Sequence, residues 1–315
     1  MSIAVTEVGE DLFLVDLREA GRPFRSSAYI IRGPEPTLIE TGSSNCFTYV
    51  VDGLKTLGYS PADLKHIVVT HVHLDHAGGA GQMMEASPHA ILHAHRRAVP
   101  HLIDPTRLEA GSRSVYGSAL ESLFGAILPV PPDRVQVQQD SSVLDLGHGR
   151  HLTFYDTPGH AKHHSCIWDN VTRGIFSGDT VGIRYHFAGV SDDVIYGFPT
   201  TTPPDFDPDV MLASLDRLQA MNPDVIYHTH FGPTSPAREA FAFTRRGILA
   251  IQQILDRLPD DATAQMAEEE LRAYLSKDVE HSTHLGVGLS DLALDIYLNA
   301  QGMIVYKQKK KAGKL

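Results

Sequence analysis

Cysteine is scarce in this 315-residue chain: Cys46 and Cys166 are the only two, too few for a disulfide framework. Both sit in apolar stretches, where a reduced and buried thiol is expected. Long hydrophobic runs are missing too. No apolar stretch reaches the roughly 18 residues of a membrane span, and Met1-Ser2-Ile3-Ala4-Val5-Thr6-Glu7 shows no basic region leading into an apolar one. Basic charge is in short supply, with 27 Lys and Arg against 38 Asp and Glu for a formal charge of −11. The one basic run is Lys307-Gln308-Lys309-Lys310-Lys311, read as a solvated tail. A broad nucleic-acid surface is therefore not expected. A cytoplasmic protein with no membrane and no nucleic-acid partner is the expectation. What is present is an ordinary globular composition, 42 % hydrophobic and 21 % charged, long enough for a sizeable core. Histidine stands out at 18 residues, and it is the commonest metal ligand.

No internal repeat or low-complexity linker interrupts the chain. Strand patterns fall at 11–16, 27–32 and 37–40, followed by a helix over 46–57 that Gly58 ends. The run 66–70 is apolar and β-branched on both faces, which predicts a buried central strand. Further strands are expected at 90–93, 152–157, 174–177 and 225–227. Beyond Ser235-Pro236 the period becomes helical, with Phe241, Ile248, Ile251, Leu255 and Leu258 on one stripe. Two more helices are expected over 264–277 and 290–299, with Gly302 stopping the last and a closing strand at 303–306. The expected organisation is an α/β catalytic core over 1–235 and a mostly helical extension over 236–315.

Directly after the strand at 66–70 comes His71-Val72-His73-Leu74-Asp75-His76-Ala77-Gly78-Gly79. Alternation along an extended chain puts His71 and His73 on one side. Asp75 and His76 follow where a helix begins, and Gly78-Gly79 lets the backbone pass close by. Imidazoles with a carboxylate suit zinc, and also iron or manganese. A lone His-x-His arises often on exposed strands, whereas four ligand types within six positions are far more specific. Three later segments repeat the order of apolar strand, ligand type and small residue. One ends in Thr157-Pro158-Gly159-His160, one in Ser177-Gly178-Asp179-Thr180, and one in His228-Thr229-His230-Phe231-Gly232. Loops at strand ends are where a rigid scaffold brings distant residues together. His228 and His230 are both candidates from the pattern alone. His93 and His95 imitate the motif without the following acid, which points to surface or supporting roles. His164, four positions after His160, is assigned either to the cavity or to a structural role. No Ser or Cys stands in a Gly-x-Ser-x-Gly turn, so water is the expected attacking group.

Taken in order, these segments resemble the metallo-β-lactamase superfamily over roughly residues 10 to 235. Ala28-Tyr29-Ile30-Ile31 and Leu38-Ile39-Glu40-Thr41-Gly42 are similar to the family's opening strands, with Glu40 where an aspartate is usual. The resemblance implies an αββα sandwich and two divalent metal ions, most simply zinc. It implies His71, His73 and His160 on the first ion, Asp75, His76 and His230 on the second, and Asp179 between them beside a hydroxide. The implied activity is hydrolysis of an ester-type bond (ester, thioester, lactone or phosphoester) in a small molecule, with Asp75 orienting the nucleophile and passing on its proton.

The segments 157–164, 178–184 and 199–207 resemble a poorly characterised prokaryotic subgroup, which carries no substrate assignment. Glyoxalase II enzymes share the core motif, but their basic glutathione contacts are not found here. Lactonases place a tyrosine near the shared aspartate, a place Tyr185 or Tyr196 fills. Tyr116, His164, Arg184 and Tyr185 are the candidate substrate contacts. The stretch 104–132 carries Tyr116, Leu120, Leu123 and Phe124 at helical spacing and is assigned to a lid over the site or to core packing. Two other readings stand beside hydrolysis. One is a mononuclear iron oxidoreductase similar to persulfide dioxygenases. The other is a metal-binding protein without catalysis. Flavodiiron chemistry is disfavoured because His73 stands where those proteins carry glutamate. A homo-oligomer is compatible with all of these.

Overall fold

The computed structural model describes residues 5–187, 194–283 and 289–314. The chain divides into two compact units. Unit 1 holds Met1–Asp156, His163–Gly178 and Tyr227–Pro233, and unit 2 holds Thr157–Lys162, Asp179–Ile226 and Thr234–Leu315.

Unit 1 is built on two sheets. The first has seven strands in chain order: β1 (Val5–Gly9), β2 (Leu12–Asp16), β3 (Ser27–Ile31), β4 (Thr37–Ile39), β5 (His66–Val68), β6 (Ile91–His95) and β7 (Val135–Gln138). Pairing is antiparallel from β1 to β4 and parallel from β4 to β7. The helices of this unit are α1 (Phe47–Thr56), α2 (Leu74–Ala77), α3 (Ala80–Ala86), α4 (Val99–Ile103), α5 (Thr106–Tyr116) and α6 (Leu120–Phe124). Val50, Leu54, Met83, Met84 and Leu102 from α1, α3 and α4 join Val15, Ile30, Leu38, Ile67 and Leu92 of the strands in one buried cluster. Each such side chain contributes roughly 1.5–3 kcal/mol on leaving water. The second sheet runs β15 (Gly232–Thr234), β14 (Val225–His228), β11 (Gly174–Gly178), β10 (Ser165–Asp169), β9 (His151–Asp156), β8 (Val143–Asp145). The sheets meet through side chains: the Tyr29 ring lies 5.3 Å from Phe176 and 5.6 Å from Tyr227, and His93 stacks on Phe154.

Unit 2 carries the hairpin β12 (Ile183–Tyr185) and β13 (Tyr196–Phe198), with Tyr185 opposite Tyr196. Its helices are α7 (Pro208–Ala220), α8 (Arg238–Arg257), α9 (Ala264–Thr283) and α10 (Ala293–Lys311). The α8 stripe buries Phe241, Ile248, Ile251 and Leu255, as its spacing predicts. Helix α7 was passed over by sequence reasoning, although its start signal is strong: the Asp207 side chain accepts from the Asp209 and Val210 amides, and Pro208 occupies the first turn.

The expected closing strand at 303–306 is wrong, and so is the stop at Gly302, because α10 runs through both. Ile296, Ala300, Met303 and Ile304 are buried at helical spacing. Gly302 is small for another reason. A Cβ there would lie 1.5 Å from the Thr201 carbonyl oxygen, where Asn299 also takes the Thr201 amide at 2.7 Å. The α/β class with a helical C-terminal extension otherwise holds. No helix of the described residues is long and apolar enough to cross a membrane.

Candidate metal centre

In unit 1 the chain leaves β5 at Val68, bends at Thr70 and reaches His73, which caps α2 with φ −60° and ψ 149°. His71 and His73 come together there, with ring centroids 4.5 Å apart. Helix α2 then presents Asp75 and His76, while His230 arrives from the turn between β14 and β15. Asp75 Oδ2 lies 3.2 Å from His230 Nε2 and 3.9 Å from His76 Nε2. One ligand atom from each of Asp75, His76 and His230 lies within 4.8 Å of the others. His228 is buried within β14, and its carbonyl oxygen accepts from the Ser27 hydroxyl at 3.0 Å.

In unit 2 the turn Thr157-Pro158-Gly159-His160 is held from several sides. The Asp207 amide donates to the Gly159 oxygen at 2.8 Å, Ser214 Oγ to the Pro158 oxygen at 2.6 Å, and Thr180 Oγ1 to the Thr157 oxygen at 3.2 Å. Gly159 adopts φ +127°, and a Cβ there would lie 2.4 Å from Met211 Cα of α7. The turn delivers His160 Nε2 to 3.3 Å from Asp179 Oδ2, with both residues buried.

The outward nitrogens follow one pattern. His160 Nδ1 meets the Thr200 carbonyl at 3.2 Å, and His230 Nδ1 meets the Arg25 carbonyl and Ser26 Oγ, each at 3.0 Å. His71 Nδ1 meets Thr70 Oγ1 at 3.0 Å, and His76 Nδ1 meets the Glu40 carboxylate. A carbonyl or carboxylate can only accept, so His160, His230 and His76 hold a proton on Nδ1, which leaves the Nε2 of each facing a carboxylate. Imidazoles oriented this way beside carboxylates are the donor types that divalent zinc takes, so the residues fit such an ion.

His164 is 1 % exposed and packed against His71, with a ring separation of 4.8 Å. It also crowds Gly178, where a Cβ would meet its Nε2 at 2.5 Å. His163 is half-buried beside His73 and His101, at ring separations of 5.6 and 6.3 Å. Tyr116 packs edge-on against Phe124 at 4.9 Å, and the pair belongs to a small cluster with Leu120 and Leu74. The segment 104–132 therefore sits on Leu74, inside the ligand motif, and is two helices broken at Gly117 rather than one. Arg184 and Tyr185 lie on β12 in unit 2, with Tyr185 stacked on Phe187 at 5.9 Å. Tyr196 donates to Asp278 at 3.0 Å, and burial pushes its phenol above its ordinary range. His95 contacts Asp156 at 3.3 Å, and His93 joins His66 and Gln138, so both serve the strands.

Comparison with known proteins supplies a context for this geometry. The family profile described as the metallo-beta-lactamase superfamily matches residues 21–230. The metallo-beta-lactamase fold-containing protein ST1585 of Sulfurisphaera tokodaii is 28 % identical over 218 residues, covering 68 % of this chain and 76 % of that protein. An acyl-coenzyme A thioesterase of Bos taurus is 28 % identical over 55 % of this chain and 64 % of its own length. An N-acyl homoserine lactonase of Bacillus thuringiensis is 26 % identical over 54 % of this chain and 56 % of its own length. The chain thus spans less than two thirds of the latter two. The crystal structure of ST1585 superimposes with a TM-score of 0.61 at 23 % identity, covering 96 % of this chain and 98 % of that one, which shows a shared fold.

Proposed function

Because the chain belongs to the metallo-β-lactamase superfamily, we propose that it hydrolyses an ester-type bond of a small molecule with two divalent cations, most simply zinc. The carrying observation is the donor set of Asp75, His76 and His230, closed within 4.8 Å, with both imidazoles turned so that Nε2 faces Asp75. This set is proposed for one cation. For the other, the family resemblance assigns His71, His73, His160 and Asp179. Bound cations would supply a nucleophile at neutral pH by lowering the pKa of water from about 15.7 to about 7, on the order of 12 kcal/mol.

The chain's own residues do the rest. Asp75 is 31 % exposed at its side chain, which lets its carboxylate orient an incoming water and accept its proton. The Arg25 and Thr200 carbonyls and the Glu40 carboxylate keep the imidazoles from rotating, so no reorganisation is needed when substrate arrives. The α5–α6 cluster on Leu74 is proposed to exclude water and seat the acyl part of the substrate, with Tyr116 as a contact. His164 is proposed to support His71 instead of touching substrate, given its burial. Neither a nucleic acid nor a membrane is proposed as a partner.

The relatives named as a lactonase and a thioesterase make lactones and thioesters the first substrates to try. Elemental analysis of protein purified without chelator, followed by lactone, thioester, ester and phosphoester assays, tests the proposal. The expected result is close to two zinc equivalents, with hydrolysis that disappears on chelation and returns on adding zinc. Full activity after exhaustive chelation refutes it. One iron equivalent with oxygen uptake would favour the oxidoreductase reading instead.

A further inference from the structure

The C-terminal extension of unit 2 reaches the His160 turn through one stretch of chain, residues 199–207. Neighbouring residues of that stretch face different partners. Thr200 offers its carbonyl oxygen to His160 Nδ1 at 3.2 Å, while the Thr201 amide donates to Asn299 Oδ1 of α10 at 2.7 Å. Asn299 holds both sides of this contact. Its Nδ2 donates to the Pro199 oxygen at 3.2 Å, and its own carbonyl accepts the Thr201 hydroxyl at 2.9 Å. An amide N–H can only donate and a carbonyl only accept, which fixes which way the Asn299 side chain is turned. Two more residues of α10 hold the same stretch. The Lys309 ammonium donates to the Pro204 oxygen at 2.9 Å, and the Tyr306 ring lies edge-on to Phe206 at 5.9 Å. The stretch ends at Asp207, whose amide donates to the Gly159 oxygen at 2.8 Å. The His160 turn is thus held from both ends of a segment that α10 holds along its length.

The Thr200 carbonyl and the Thr201 amide are the two ends of a single planar peptide unit. Turning one end turns the other. Asn299, Thr201 and His160 are all buried, and a buried amide deprived of its acceptor rotates toward another one. The bond into the amide also polarises the peptide and makes its carbonyl a better acceptor for His160. We infer that Asn299 is a positioning residue for His160, acting through the Thr200–Thr201 peptide. The helical extension then takes part in cation binding without supplying a ligand. Gly302 fits the same account. A side chain there would press on the Thr201 oxygen and push α10, with Asn299 on it, out of reach of the Thr201 amide. This inference rests on the cation reading above, in which His160 is a ligand.

The test is zinc affinity of the full chain, measured well below its melting temperature by competition with a chromophoric chelator. Asn299→Leu keeps the volume and the helix propensity while removing the acceptor. It is expected to weaken one of two zinc equivalents by roughly tenfold or more and to leave the other as it was. Leu271→Ala in α9 is the stability control, because it removes buried apolar packing from the same extension and none of the hydrogen bonds at Thr201. It is expected to lower the melting temperature and leave both equivalents tight. In a His160→Ala background, Asn299→Leu should leave the affinity for the remaining zinc unchanged. Should Asn299→Leu not fold, Asn299→Ser, too short to reach the Thr201 amide, goes through the same measurements. The inference is overturned if the Asn299 variant binds both equivalents as tightly as the unsubstituted chain. It is equally overturned if Leu271→Ala weakens zinc as much, or if the Asn299 change weakens the zinc that remains in the His160→Ala protein. Absence of zinc from the unsubstituted chain would instead overturn the cation reading, and this inference with it.

Discussion

Acidification to pH 5 should destabilise unit 1 by roughly 2 kcal/mol through one residue, His93 on β6, which burial pushes from 6.5 to about 3. His93 is 4 % exposed and sits in a one-way chain of donors. The Gln138 amide nitrogen donates to His93 Nδ1 at 2.8 Å, and His93 Nε2 meets His66 Nδ1 at 3.0 Å. His66 Nε2 then points to the Glu35 carboxylate at 3.4 Å. Protonating His93 would set an N–H against the Gln138 amide donor and place a charge between strands. Because the folded-state pKa lies below the unfolded value, the folded chain binds fewer protons in acid. The stabilisation is complete above pH 6.5, falls as pH drops below it, and stops changing near pH 3. The loss is about 1.4 kcal/mol per pH unit and reaches roughly 5 kcal/mol over the whole window, a large part of a typical domain's stability. Burial also lowers His66 and His95, so the total slope of the protein should exceed one proton. Urea unfolding in chelator at several pH values between 7.5 and 4.5, on the unsubstituted chain and on His93→Gln, isolates the single-site effect. The variant should be less stable at pH 7 by about 1 kcal/mol for its altered hydrogen bonds, and its pH slope should be shallower by one proton. Identical slopes in the two proteins would refute the reasoning.

Three further outcomes are expected. Gly302→Ala should destabilise the protein by at least about 1–3 kcal/mol in thermal melts, since its Cβ would overlap the Thr201 carbonyl oxygen. Asp169→Asn should cost about 3–5 kcal/mol in urea, because the buried Arg150 guanidinium donates to both Asp169 oxygens, at 3.0 and 2.6 Å, and would lose its counter-charge. Phe124→Ala should lower stability by about 3 kcal/mol, while Tyr116→Ala, half-buried at the edge of the same cluster, should alter the relative rates on small and bulky substrates at constant bound zinc.

What the sequence determined alone is what depends on neighbours along the chain. The two-residue spacing after β5 kept His71 and His73 together, and the 3.6-residue period marked the buried stripe of α8. Asp207-Pro208 carried an equally local start signal for α7, overlooked rather than absent. Tertiary structure decided what depends on remote partners. The Nδ1 acceptors of His76 and His230 lie 36 and 205 positions away, and no spacing rule links them. Between two adjacent histidines, packing buried His164 against Gly178 and left His163 half-exposed beside His73. Gly302 shows why such cases stay ambiguous in one dimension. A missing side chain serves a helix stop and a close approach equally well, and only the Thr201 carbonyl pressing on α10 tells which was required.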